Sequence, residues 1–510
     1  MFNSAILSYP VHWELTTLGK LCLESGGSIQ TGPFGSQLHA SDYVDVGIPS
    51  IMPKNISVEE ISTVDIAKVT NEDARRLSKY IVKQGDIVYS RRGDVEKCSI
   101  ITSNEAGWLC GTGCLKVSFG KKRKIDSRYI HAYLSSPMIR EWISRHAIGA
   151  TMPNLNTAIL SAVPVLIPSQ KEIEVITKVW RSITDKIILN RQINQTLEKI
   201  AHTIFKSWFV DFDPTHAKIA ARERWLALHE VIETSSPTCY SAEFDNANQP
   251  TQTLEEAMTQ AAMAAISGKT PEELEQLSPE QQQNLRNIAA LFPDTLVDSD
   301  LGEIPEGWLV SPLSVWGDII CGKTPSKKND EYYGGDIPLV KIPDMHNSMF
   351  VTGTSDTLTA LGAATQKRKL LPAGSICVSC IATVGKVVIT TKECFTNQQI
   401  NSIVPQKKFF TPYLYFSMLK INDLLHDLAS GGSATLNLNT GNFSKIEILK
   451  PSFEVLQQHY ILVESILKQV LVNQEEQQTL SALRDSLLPK LLSGQLQIRD
   501  AENPVSEAMA

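Results

Sequence analysis

TMPNLNTAILSAVPVLIPS occupies residues 151–169, and ATLNLNTGNFSKIEILKPS occupies residues 434–452. Their shared NLNT starts at Asn154 and again at Asn437, a displacement of 283 positions. The displacement holds downstream without a gap, so that NRQINQTLEKI (190–200) faces NQEEQQTLSAL (473–483). Upstream the likeness loosens but persists: GIPSIMPKNI (47–56) resembles GDIPLVKIPDM (335–345), VKQGDIVYS (82–90) resembles LPAGSICVS (371–379), and Trp13 and Trp308 each open a unit. A period this long is the duplication of a domain-sized unit and not a short-repeat solenoid.

Within each unit the hydrophobic pattern changes at NLNT. Before it, short apolar runs such as DIVYS, SICVSC and KVVIT, bounded by Gly, Pro and Asn, read as strands among helices, the pattern of an α+β module. After it, Ile173, Ile176, Trp180, Ile183, Ile187, Asn190, Asn194, Leu197, Ala201, Ile204 and Trp208 step by three and four, a heptad seam. Adding the displacement carries the seam to Leu456, His459, Val463, Ile466, Val470, Asn473, Gln477, Leu480, Arg484, Leu487 and Leu491, with no proline until Pro489. Each stretch predicts a helix of about 40 residues, near 60 Å long. Two helices with one apolar stripe each are expected to pair, with the duplicates Asn190 and Asn473 setting register. The physical expectation is two modules held apart by a stiff helical ruler.

At 510 residues and 42% hydrophobic content the chain is long enough for two or three domains. The absence of a bilayer-length apolar run or a signal-peptide pattern, and nine cysteines without a framework, are expected of a cytoplasmic protein with no membrane partner. The net charge of −7 is local in origin: residues 1–168 carry 18 basic and 15 acidic side chains, 306–451 carry 14 and 11, and 214–305 carry 5 and 15. The two mildly basic segments suit contact with phosphate. The acidic one, rich in Glu, Gln, Ala, Ser and Pro, reads as a linker with short helices. The expected division is therefore modules at 1–168 and 306–451, spacer helices at 169–213 and 452–495, a linker at 214–305 and a disordered tail at 496–510.

The series GPFGSQL (32–38), GIPSIMPKNI, GDIVYSRRG (85–93), PNLNT with its P-S turn, and LNRQINQTLEKIAHTIFKSWFVDFDP (189–214) resembles the DNA-specificity subunit of type I restriction-modification systems. LGEIPEGW (301–308), GKTPSKKNDEYYGGDIPLVKIPDM (322–345) and LLPKLLSGQL (487–496) resemble the same family, so the match covers both halves in order. The resemblance implies two α/β target-recognition domains separated by two antiparallel coiled-coil helices in a pseudo-twofold duplication. Each domain would read one half of a split site in double-stranded DNA. It further implies that the helices bind two modification (methyltransferase) subunits, that restriction subunits complete the complex, and that the chain itself catalyses nothing. No cofactor is expected on this chain; S-adenosylmethionine, ATP and Mg would enter through the partners, which methylate adenine and cleave DNA. The alternative is a two-headed DNA-binding scaffold or regulator without enzymatic partners.

Competing motifs are weak. GDIICGKT (317–324) satisfies the phosphate-loop pattern, but Pro325 and a polar run follow where a helix must open. CVSC (377–380) has zinc half-site spacing, yet Cys377 aligns with Val88 of a strand-like run, and CGTGC (110–114) has the wrong spacing. DFDP (211–214) lacks the pattern of a base methyltransferase and reads as the close of a helix. For DNA contact the candidates are Lys54, Asn55, Arg91, Arg92, Lys323, Lys327, Lys328, Lys341, Thr383 and Lys386, polar groups on loops after strands, although a solvated surface charge is the commoner fate of any one of them. Asn154, Asn156, Asn437 and Asn439 are read as the joint between module and helix, whose replacement is expected to harm assembly before it alters the sequence read.

Overall fold

The structure, a computed structural model, describes residues 9–122, 125–149, 152–234, 252–346, 348–430 and 436–494. The chain divides into two compact units, Met1–Gln192 with Glu476–Ala510, and Ile193–Glu475. In the first, a four-stranded antiparallel sheet runs Ser28–Thr31, Cys114–Ser118, Ile87–Ser90, Cys98–Ile100, beside a three-stranded sheet of Ala67–Val69, Tyr43–Ile51 and Leu109–Cys110. Ile87–Ser90 is buried at every position, which its apolar run Ile-Val-Tyr requires. Helices Ser127–Leu134 and Pro137–His146 cover this core, broken where Pro137 takes the first turn of the second helix.

The second unit repeats the plan. Its five-stranded sheet runs Gly317–Cys321, Ile400–Pro405, Ile376–Ser379, Val387–Thr390, Phe350–Val351, and a three-stranded sheet of Asp356–Leu358, Tyr333–Val340 and Phe395–Thr396 lies with it. Gly317–Cys321 is a strand that leads into a turn and not into a phosphate-binding helix. Cys377 lies on a strand, as the alignment with Val88 predicts. It faces a small cluster with Val340 and Met345 while Cys380 faces the main core, and burial raises the two thiols to about 12 and about 11, against the thiolate form.

Both long helices form, Gln170–Phe209 and Phe453–Leu492, each of 40 residues. Pro-Ser starts each one: the Ser169 N–H and hydroxyl both donate to the Glu172 carboxylate, and Ser452 Oγ accepts from the Val455 amide. In the first unit the stretches on either side pair antiparallel, Lys186 and Asn190 meeting Glu476 while Trp180 lies under the Arg484 guanidinium. The seam residues Ile183 and Ile187 are each 1% exposed there, packed with Leu480, Leu487 and Leu491. In the second unit Asn194 meets Asn473 and Val470, and Phe205, Trp208 and Phe209 surround His459. Ile466 and Gln477 are only half-buried; the neighbouring Leu467 takes the place next to Val463 and Val470. The duplicated asparagines do not meet each other. Asn190 donates to Glu476 Oε2 at 2.6 Å, whereas Asn473 donates to Asn194 Oδ1 at 2.8 Å.

Three expectations need correction. NLNT does not abut the long helix: Asn156 and Asn439 are N-caps of five-residue helices, Thr157–Ser161 and Thr440–Ser444, accepting at 2.8 Å from the Ile159 and Asn442 amides. A strand follows each, Pro164–Ile167 paired with Glu14–Thr17 and Glu447–Lys450 paired with Leu309–Pro312, before the long helix begins. Second, DFDP closes the first long helix as expected, but no linker starts at 214: Phe212 turns at φ +51° and a helix, Asp213–Thr234, continues for 22 residues. Third, the described parts of the acidic segment, 214–234 and 252–305, carry the expected short helices but pack as structure in place of a linker. Helices Leu254–Ser267, Pro271–Glu275 and Pro279–Ala290 and a hairpin of Leu296–Ser299 with Gly302–Pro305 follow, and Ile288, Phe292 and Ile304 join the core of the second unit. The expected linker stretch 235–251 and the tail 496–510 lie outside the described residues.

Candidate nucleic-acid interface

In the first unit the buried strand Ile87–Ser90 delivers the chain into Arg91-Arg92-Gly93. Gly93 sits at φ +75°, a left-handed turn that suits glycine, and the Ser90 amide closes the loop on the Lys97 carbonyl at 3.1 Å. The Arg91 backbone is held on both sides, its N–H donating to Gly113 O at 2.8 Å and its carbonyl accepting from the Leu155 amide at 2.9 Å. Asn154 bridges to Arg92 through the backbone, and its Oδ1 accepts from Arg91 Nε at 3.4 Å. Arg91 is half-buried and Arg92 exposed. Lys54 reaches the same edge, exposed on the turn Pro53–Asn55, whose Pro53 lies against Gly113.

The second unit builds this loop with the same bonds from different side chains. Cys380 N–H donates to Gln399 O at 2.8 Å and its carbonyl accepts from Leu438 N–H at 2.9 Å; Ile381 bridges to Asn437. Ala382 takes the left-handed turn at φ +64°, which costs a residue with a Cβ roughly 1 kcal/mol or more. Ser379 N–H closes on Lys386 O at 2.9 Å. Position by position, Arg91, Arg92, Gly93 and Lys97 therefore correspond to Cys380, Ile381, Ala382 and Lys386. Thr383 and Lys386 are exposed on this loop. The segment 396–399 gathers the remaining candidates around it: Lys323 N–H donates to Thr396 O, Asn397 N–H donates to Val340 O beside Lys341, and Gln399 holds Cys380. Lys327 lies close enough to Lys341 for burial and its charge together to push the Lys341 ammonium down. Lys323, Lys327 and Lys328 are exposed.

Two candidates are not available as contacts. Asn55 is 1% exposed; its Oδ1 accepts from Met52 N–H at 3.1 Å and its amide donates to the Ser62 and Val64 carbonyls, so it is the internal brace of its turn. Lys341 is half-buried and paired with Asp356, while Asp344 repeats the brace by accepting from Lys341 N–H at 2.9 Å.

Other residues escaped sequence reasoning. Lys97, the counterpart of Lys386, pairs with Asp94 at 2.5 Å, and only the backbone correspondence singles it out. The exposed Lys367 and Arg368, and Lys121 and Lys122, are basic runs visible in the sequence itself. An ion cluster fixes the loop near residue 60 to the helices of the first unit: Glu59 receives Arg484 at 2.7 Å and Arg191 at 3.7 Å, and Glu60 receives Arg191 at 2.8 Å. Burial alone would raise Glu59, but the hydrogen bond and charge of Arg484, with Arg191, hold its carboxyl below the usual range.

Two copies of one α/β module, each presenting a clamped, cation-bearing loop and each packed on long-helix segments of its own unit, define a duplicated recognition protein. The sequence matches the family described as the type I restriction modification DNA specificity domain over residues 10–199 and 305–482. The chain belongs to that family. It is 41% identical over 431 residues to the type I restriction enzyme HindI specificity subunit of Haemophilus influenzae, covering 82% of this chain and 88% of that one. Over 184 residues it is 30% identical to the MjaIX specificity subunit of Methanocaldococcus jannaschii, 35% of this chain and 42% of that relative. A crystal structure of a type I system S subunit from M. genitalium matches 94% of this chain and 96% of its own at 12% identity with a TM-score of 0.46. Among the described residues no helix is long and apolar enough to cross a membrane.

Proposed function

We propose that the chain is the specificity subunit of a type I restriction-modification complex, that each module reads one half of a split site in double-stranded DNA, and that the chain performs no catalysis itself. The observation that carries the reading is the repeated loop: two surfaces with one backbone scheme and different side chains, Arg91-Arg92 in one and Ile381 with Thr383 and Lys386 in the other, suited to two different base sequences. Phosphate contacts from Lys54, Lys323, Lys327 and Lys328 would fix position on the duplex while the loops read base edges. Two modification subunits would seat on the long helices and methylate adenine, flipped from the duplex. Restriction subunits would complete the assembly. S-adenosylmethionine, ATP and Mg would be bound by those partners in the cytoplasm and not by this chain.

The test is selection of bound duplexes from a random pool by the full chain with its modification partner. Enrichment of one two-part motif is expected. No enrichment overturns the proposal, and equal enrichment by the chain alone, with no methyltransferase required or encoded beside it, points instead to a scaffold or regulator.

A further inference from the structure

The NLNT junction is repeated in the backbone, but among the described residues only the first copy places a side chain behind a guanidinium. Asn154 Oδ1 accepts from Arg91 Nε at 3.4 Å, on a residue whose own N–H and C=O are already committed to Gly113 and Leu155. A guanidinium held by Nε keeps both terminal nitrogens for a planar, two-bond contact. The neighbouring Arg92 is exposed, the ordinary arrangement for a contact with phosphate. At the equivalent place in the second unit stands Cys380, buried at 1% exposure, so the side chain facing the Asn437 strand position there is a thiol and not a guanidinium.

We infer that Asn154 is a positioning residue that presents Arg91 to the major-groove edge of a guanine, and that the second unit has no equivalent reader at this point. The inference rests on the proposed DNA-reading role of the loops. A bidentate arginine on guanine O6 and N7 discriminates against other bases by about 10- to 100-fold. The junction is then a clamp on the reading loop, so Asn154 influences which sequence is read as well as how the module is built.

The experiment maps methylated motifs, by single-molecule sequencing, in cells carrying the full chain with its modification partner. Arg91→Ala and Asn154→Ala should each relax the same single position of one half-site, about 10-fold or more. The double variant should match Arg91→Ala alone, because Asn154 acts through Arg91. Asn154→Asp, which keeps the acceptor, should retain the position, and Asn437→Ala should leave the first half-site unchanged. If Asn154→Ala fails to fold, Arg91→Lys reports instead, since it keeps the charge and loses the fork. A uniform loss of affinity with a shallower salt dependence would assign Arg91 to phosphate and overturn the inference, as would additive effects in the double variant or an unchanged motif in Arg91→Ala. A wild-type complex with no split motif fails the proposed function itself, a distinct result.

Discussion

Replacing Asn194 by alanine cuts two buried hydrogen bonds at once. Its amide donates to Val470 O at 3.0 Å and its Oδ1 accepts from Asn473 Nδ2 at 2.8 Å, with both asparagines 5% exposed. Each bond contributes about 1 kcal/mol net, and the stranded Asn473 donor adds a desolvation cost of about 1–3 kcal/mol, for a loss of about 3–5 kcal/mol in all. Asn473 Oδ1 keeps its bond from Gln469 at 2.8 Å, so the damage is confined to the donor side. Removing both polar partners is different: Asn194→Leu with Asn473→Leu leaves no orphan and should return to within about 1 kcal/mol of wild type. Urea unfolding followed by tryptophan fluorescence reports the second unit through the buried Trp208, Trp308 and Trp316. An Asn194→Ala variant within about 0.5 kcal/mol of wild type, or a double leucine variant no better than the single alanine, refutes this pairing.

Other perturbations test the remaining contacts. Arg484→Met leaves the part-buried Glu59 with Arg191 alone, at 3.7 Å, and should cost up to about 3 kcal/mol at neutral pH. Because Glu59 is depressed when folded, its contribution is complete above the carboxylate's unfolded value and disappears as pH falls through the folded value; Glu59→Gln should flatten that acid limb in unfolding titrations. His459 is fully buried, with neither ring nitrogen bonded, and burial lowers its imidazole to about 3. Since the unfolded ring protonates near pH 6.5, stability should decline between about pH 6.5 and 3, and His459→Phe, packed against Phe205 and Phe209, should gain roughly 1–3 kcal/mol and remove the decline. Phe292→Ala, which removes an edge-on contact to Trp208 at 5.1 Å between ring centroids, should cost about 3–5 kcal/mol; a tether would tolerate it without change in the melting curve.

What the sequence made legible follows from its periodicity. The seam through Ile183, Ile187 and Val470 is a long regular pattern, and long patterns determine element type, so both helices were readable to within a few residues of their ends. Register was not, because Asn190 and Asn473 are equivalent in sequence but face Glu476 and Asn194, a choice made by the opposite helix. The acidic segment misled for a related reason. Its exposed faces dominate its composition, while the residues that bury, such as Ala262, Met263, Ile288 and Phe292, are too sparse to register as a core pattern. In the interface, polarity alone placed Asn55 with Lys54, although its amide is needed to brace the turn. Lys97 was invisible until the loop backbones could be compared.

The central claim is that two different loops on one scaffold read two different halves of one DNA site. Single-molecule sequencing of methylated bases in cells carrying this chain with its modification partner, beside cells lacking the chain, tests it most directly. The expected result is one motif of two short specified segments separated by an unspecified gap, with a methylated adenine in each segment, and its disappearance without the chain. A single contiguous motif, or a methylation pattern unchanged by loss of the chain, would contradict it.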